Sequence, residues 1–263
     1  MELGLQGKIA LVAASSRGLG RAVAEELAAE GSHLALCARG EDDLVETAQA
    51  IEDGCGVRVL AVPTDLTDQE AIGRLVDRTR DELGRIDILV NNAGGPPAGL
   101  FESHTLDDWR QAIRLNLESA IELTRAVLPG MREAGWGRIV NITSVSVKQP
   151  VEQLILSNSV RAAVTGFART LANEVAADGI TVNNALPGFT RTGRLQELAA
   201  ALAEGKGIEV QEVEAGWEDA IPMRRLGEPR EFAALVAFLA SERASYITGC
   251  SITVDGGRVQ SLL

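Results

Sequence analysis

Histidine, cysteine, tyrosine and positive charge are all scarce in this 263-residue chain, and each scarcity excludes something. With only His33 and His104, a metal site built on several imidazoles has no donors, and no metal is expected. Cys37, Cys55 and Cys250 are odd in number and lack Cys-x-x-Cys spacing, which excludes a disulfide framework or a zinc ribbon. Cys37 and Cys250 sit in apolar runs and are expected as buried, reduced thiols. No stretch reaches bilayer-spanning length, and no basic start precedes a long apolar run, so the expectation is a cytoplasmic protein without a membrane partner. Twenty-five Lys and Arg against 37 Asp and Glu give a formal charge of −12, which disfavours nucleic acid as a partner.

What is present is a hydrophobic content of 46% with a mean hydropathy of +0.07, enough for one substantial core. Short apolar runs alternate with helical periodicity from end to end. Strands are expected at 8–13, 33–38, 57–62, 86–91, 137–142, 180–186 and 251–254. Helices are expected at 21–30, 41–53, 67–83, 107–134, 158–176 and 228–240. Thr67-Asp-Gln-Glu70 reads as a capping box. Val160, Val164, Phe167, Leu171 and Val175 form an apolar stripe that exceeds what the core needs, and so suggests an oligomer contact.

Strict β/α alternation without a linker or repeat predicts an α/β fold: one Rossmann-type, doubly wound parallel sheet with helices on both faces, spanning 1–263. Ligands of such sheets bind beyond the carboxyl ends of the strands, where the strand order reverses. Residues 193–221, with a short helical run at 196–204, read as an insertion that covers the site. Between the first strand and first helix lies Ala14-Ser-Ser-Arg-Gly-Leu-Gly20, where Gly18 and Gly20 let backbone approach closely. A helix N-terminus behind a glycine turn is a seat for a pyrophosphate.

With these elements placed, the chain resembles the short-chain dehydrogenase/reductase family along nearly its whole length. The resemblance rests on Ser16-Arg17-Gly18-Leu19-Gly20, Asp65-Leu66, Asn91-Asn92-Ala93-Gly94, Asn116, Ile142-Thr-Ser144, Asn183-Asn-Ala-Leu-Pro187-Gly188 through Thr192, and the tail from Tyr246 to Gly257. It is most similar to the 3-oxoacyl-acyl-carrier-protein reductases. The resemblance implies that Asp65, Asn92, Ala93 and Gly94 line the adenosine side of a dinucleotide, and that Pro187, Gly188 and Thr192 hold the nicotinamide half. It also implies a homodimer or homotetramer, and a carbonyl compound or acyl thioester as substrate. NAD-binding relatives carry an acid at the end of the second strand. Here stand Ala38 and Arg39, with Arg17 in the glycine turn, so two guanidinium groups favour a 2′-phosphate and hence NADP(H).

Three departures stand out. Ala14 replaces the family's first turn glycine, which a methyl tolerates if its backbone angle is negative. Where the family has Tyr-x-x-x-Lys, counting from Ser144 gives Ser157 and Arg161. A serine hydroxyl is a far weaker acid than a phenol, and Arg161 keeps the charge without relaying protons. Lys148, Glu152, His104 or a bound water are the other candidate donors. Third, Gly95-Pro-Pro-Ala-Gly99 reads as a stiff surface loop or as a wall narrowing the substrate mouth. The leading expectation is an oxidoreductase in which Ser144 polarises a carbonyl, Asn116 holds a helix carbonyl or water, and Arg161 fixes the nicotinamide ribose. Two rivals stay open: a non-catalytic dinucleotide sensor or scaffold, and an enzyme of altered reaction in which Arg161 binds an anionic substrate.

Overall fold

The computed structural model describes residues 2–262; Met1 and Leu263, the ends of the expected 1–263 domain, lie outside the described residues. In chain order the elements are β1 (Ile9–Val12), α1 (Gly18–Ala29), β2 (His33–Ala38), α2 (Glu41–Cys55), β3 (Val59–Pro63), α3 (Gln69–Glu82), β4 (Ile88–Asn91) and α4 (Leu106–Ile113). There follow α5 (Ser119–Ala134), β5 (Gly137–Ile142), α6 (Ile155–Val175), β6 (Ile180–Pro187), α7 (Gly193–Lys206), α8 (Val210–Ala220), α9 (Pro229–Ala240) and β7 (Ser251–Val254). All pairings are parallel, and the seven strands run in the order β3-β2-β1-β4-β5-β6-β7. The winding reverses between β1 and β4, so the loops leaving those strands border a crevice.

Period-two burial builds the two layers. Ala10 and Val12 of β1, with Leu34 and Leu36 of β2, pack against α1, α2 and α9 through residues such as Leu27, Leu44 and Phe232. Leu11, Ala35 and Leu89 point the other way, into α3, α5 and α6 through Leu75, Leu123 and Leu171. Strands buried on both faces read as continuous apolar runs, as in the first strand.

Several details differ from expectation. Thr67 caps nothing: Asp68 is the N-cap of α3, accepting from the Glu70 and Ala71 amides, while Thr67 bonds Asp65. The long helix at 107–134 is present as expected, but it passes from α4 to α5 through a π-turn at Arg114–Glu118, an extra residue per turn of the kind often found at functional sites. The insertion holds two helices, α7 and α8, rather than one short run. Of the apolar stripe of α6, Val160, Val164, Leu171 and Val175 are buried in the chain's own core, while Phe167 is half-buried. Cys37 is buried as expected, whereas Cys250 is exposed because β7 is the sheet's edge. No described helix is long and apolar enough to cross a membrane.

Candidate functional site

The turn after β1 is the tightest part of the crevice. Ala14 has φ +48°, the left-handed region rather than the expected negative angle. An alanine thus holds a backbone conformation that favours glycine, at a cost of order 1 kcal/mol. Its carbonyl accepts from Asn92 Nδ2 at 3.2 Å, a bond that bridges the crevice from the loop after β4. A Cβ on Gly20 would lie 2.2 Å from that same carbonyl oxygen, so glycine is obligatory there. The Ser15 amide donates to the Cys37 carbonyl and Thr47 Oγ1 to the Ser16 carbonyl, strapping the turn to β2 and α2. Arg17, the N-cap of α1, supplies no capping side chain, and no acid lies in the first turn. The first-turn N–H groups around Gly18, Leu19 and Gly20 are left for an anion. Across the gap, Thr192 Cγ2 lies 3.8 Å from where a Gly18 Cβ would stand.

At the end of β2, Arg39 and Arg17 are exposed and neither forms an ion pair among the described residues. Asp65 has spent one oxygen on Thr67, whose amide holds its carboxyl below the usual range, with Arg39 adding a smaller pull. Leu66 beside it is core. This donor set fits a dinucleotide: uncapped helix amides for the pyrophosphate, and two free guanidiniums for a further phosphate.

Ser144 follows β5, half-buried, its Oγ accepting from the Ser146 amide at 3.1 Å. Ser157 and Arg161 occupy the first two turns of α6. Ser157 is 9% exposed, and its hydroxyl makes no hydrogen bond among the described residues. Arg161 donates Nη1 to the Ile142 and Thr143 carbonyls at 2.9 and 2.8 Å, and Nη2 to the Ala93 carbonyl at 3.5 Å. It therefore clamps the end of β5 to the loop after β4. Burial, and then the charge of Arg194, pull its pKa down to about 10, which leaves it a cation at any working pH. A cavity of about 20 Å³ lies beside it, lined by Asn91, Asn116, Asn141 and Thr143 among others, the size of one water. Asn91 Oδ1 and Thr143 Oγ1 at this cavity are buried without partners. Asn116, in the π-turn, donates to the Ala112 carbonyl.

The other donor candidates are dispersed. Lys148 is half-buried and Glu152 exposed. His104 Nε2 is buried without a partner against Gly99. The Gly95–Gly99 segment is no free loop: the Gly99 amide donates to the Gln153 carbonyl at 2.6 Å, just ahead of α6, and Pro96 accepts from Arg194 of α7 at 2.7 Å. Pro187 and Gly188 end β6, where a Gly188 Cβ would come within 2.7 Å of Asp255. Thr192 caps α7.

Sequence reasoning missed three features. One is a row of buried amides across the sheet, Asn91 to Asn141 to Asn184 to Ser251, each donating to the next at 2.9 to 3.1 Å. Register places these four residues side by side on β4 to β7, a fact no single strand pattern contains. The others are Arg194 and Arg258, whose roles depend on which loops meet.

Comparison with known proteins now has a site to refer to. The profile described as Enoyl-(Acyl carrier protein) reductase matches residues 13–258. The 3-oxoacyl-acyl-carrier-protein reductase FabG of Haemophilus influenzae is 39% identical over 255 residues, 96% of this chain and 98% of that protein. The chain belongs to the short-chain dehydrogenase/reductase family. FabG of Aquifex aeolicus is 38% identical over 258 residues, 98% of this chain and 99% of its own. Among solved members of the family, L-sorbose reductase from Gluconobacter frateurii complexed with NADPH and L-sorbose superposes with a TM-score of 0.94 at 36% identity, covering both chains fully. The F189W actinorhodin polyketide ketoreductase with NADPH gives 0.93 at 31% identity, over 97% of this chain and 98% of that one.

Proposed function

We propose that this short-chain dehydrogenase/reductase is an NADP(H)-dependent oxidoreductase that interconverts a carbonyl and an alcohol, with a 3-oxoacyl thioester as the reference substrate. Its proton-transfer site uses Ser144, Ser157 and Arg161 in place of the family's usual phenol and ammonium. The observation that carries the reading is Arg161, a desolvated cation locked by carbonyls of both β5 and the loop after β4, next to Ser144 and a water-sized polar cavity. The cofactor assignment is supported by the unpaired Arg17 and Arg39 and by relatives solved with NADPH.

The reduced nicotinamide, when bound, supplies a hydride. The chain's residues handle charge and protons. Ser144 donates its hydroxyl to the carbonyl oxygen. Arg161 stabilises the negative charge that grows there but keeps its protons, so its contribution is electrostatic. The proton that completes the alcohol is drawn from water through the Ser157 hydroxyl, which gives one proton to the substrate oxygen and takes another from water, leaving hydroxide to the solvent. Helices α7 and α8 act as a lid: Arg194 ties α7 to Pro96, and Trp217 of α8 stacks on Phe189 beyond β6. The exposed Leu100, Phe101 and Leu106 support a homodimer or homotetramer, with light scattering as the check.

The test is NADPH oxidation with 3-oxobutanoyl thioesters, alongside calorimetric titration of NADPH and NADH. Turnover with NADPH preferred supports the reading. Tight NADPH binding with no turnover of any carbonyl would leave a dinucleotide sensor instead.

A further inference from the structure

Three arginines of this chain have lost much of their water: Arg138, Arg161 and Arg258. Burial is the chief cause that pulls each below the ordinary arginine range. None forms an ion pair among the described residues. The first two recover the loss through carbonyls. Arg138 donates to Ser241, Gly137 and Gly179, and Arg161 to Ile142, Thr143 and Ala93. Arg258 recovers less: the charge of Asp255 offsets part of the loss, but its Nε and Nη1 are buried with no hydrogen-bond partner among the described residues. A buried donor left unmade costs about 1–3 kcal/mol, and more when charged.

Its surroundings are aromatic. The guanidinium lies 4.4 Å over the ring of Phe189, which stacks in turn on Trp217 of α8. Phe189 directly follows Pro187-Gly188 at the carboxyl end of β6, the side of the sheet that carries the crevice. The neighbouring carboxylate does not neutralise it by hydrogen bond, since Asp255 gives one oxygen to the Gly257 amide and the other to that of Val259. Two residues on, the Gln260 amide donates to Gln149 Oε1, in the loop after Ser144. The C-terminal segment thus joins the Ser144 loop to the lid, with an unspent guanidinium between them. Stacking on an aromatic ring fixes the plane of an arginine and leaves its edges for an oxyanion, a task an ammonium performs less well.

We propose that Arg258 is a specificity residue that takes a carboxylate on the carbonyl substrate, held in place by the Phe189–Trp217 stack at the border of the crevice. In a chain of net charge −12, which repels anions in general, a local guanidinium with free donors selects for such a substrate. The proposal rests on the carbonyl-reductase reading above and narrows its substrate to a carbonyl compound with a free carboxylate, a group that the 3-oxoacyl thioester used there as reference lacks.

The experiment compares 3-oxobutanoate with its methyl ester as substrates, and 3-hydroxybutanoate with its methyl ester as ligands by calorimetry. Wild type is expected to favour the acid over the ester by about 10- to 100-fold, the usual worth of hydrogen bonds to a charged group. Arg258→Gln should erase the ratio, and Arg258→Lys should reduce it to a few-fold. Should the glutamine variant fail to melt cooperatively, the lysine variant alone decides. An acid/ester ratio near one in wild type, or one that both variants leave untouched, overturns the proposal while carbonyl reduction itself stands. Arg258-dependent binding of 3-hydroxybutanoate without reduction of any carbonyl sinks the reductase reading and keeps the carboxylate site. A preference for 3-oxobutanoyl coenzyme A that disappears with Arg258 would put a phosphate there and overturn the carboxylate assignment.

Discussion

The turn after β1 and the first two turns of α6 both follow strand ends of the same sheet edge, yet they are built in opposite manners. The turn is a matter of backbone shape. Ala14 takes up a left-handed backbone, and Gly20 still receives the Ala14 carbonyl at a distance no side chain would allow. In α6 the helix is regular and the side chains carry the chemistry, with a hydroxymethyl at Ser157 and a carbonyl-bound guanidinium at Arg161. A phosphate is held by backbone N–H groups, which any sequence of the right conformation presents. A proton is moved by side chains, and there identity is everything. The cofactor half of such a site drifts in sequence without losing function; the catalytic half does not.

The largest effect should come from altering the side chains of α6. Ser157→Tyr with Arg161→Lys is expected to raise NADPH-dependent carbonyl reduction by about 100-fold or more, the usual worth of a general acid. Ser157→Tyr alone should gain less, because Arg161 is committed to three carbonyls and cannot move toward a phenol. If the double variant is slower than wild type, Ser157 and Arg161 form a working arrangement of their own. On the cofactor side, Arg39→Ala should weaken NADPH by about 10- to 100-fold in calorimetry and leave NADH unaltered. Equal losses for both would show that Arg39 does not read the 2′-phosphate. Ala14→Gly should stabilise the protein by about 1 kcal/mol, seen in denaturant titration, since it relieves the positive φ. A destabilised Ala14→Gly would mean that the turn is held by contacts of the methyl.

The smallest effect is electrostatic and lies away from the crevice. Arg225 and the Glu228 amide hold Glu231, at the start of α9, down at a pKa of about 2. A depressed carboxyl contributes stability above its unfolded value and loses it as pH falls through the folded one. Glu231→Gln should therefore lower the melting temperature slightly at neutral pH and flatten its fall between about pH 4.5 and 2. An unchanged acid limb would show that the exposed pair is fully screened.

The sheet was legible because its strands are short, apolar and separated by helices of clear periodicity; 33–38 and 137–142 read correctly to the residue. Most of the crevice was legible too, since the glycine turn and the Asn92–Gly94 loop follow strand ends directly. Two expectations failed, the Thr67 cap and a buried Cys250, both inferred from local pattern. The first turned on which of two adjacent side chains reaches the free helix amides, and the second on an edge position that no local pattern reveals. Arg258 lay outside reach for the same reason: only the meeting of β6, α8 and the tail shows that its donors are spare.

The row of amides from Asn91 to Ser251 bears on how the chain finds its alignment while folding. Parallel strands joined by long crossovers have nothing local to fix their offset, and apolar faces slide over one another at modest cost. Asn91, Asn141 and Asn184 are each 4% exposed or less. Displacing β5 by one residue would turn the Asn141 amide to the opposite face of the sheet and leave the neighbouring amides stranded in apolar surroundings. At about 1–3 kcal/mol for each orphaned group, such a slip would forfeit a large part of a typical domain's total stability. The amides thus work as a vernier: misaligned sheets are rejected before packing is complete, and the strand ends that carry Ser144 and the Asn92 loop arrive level with one another.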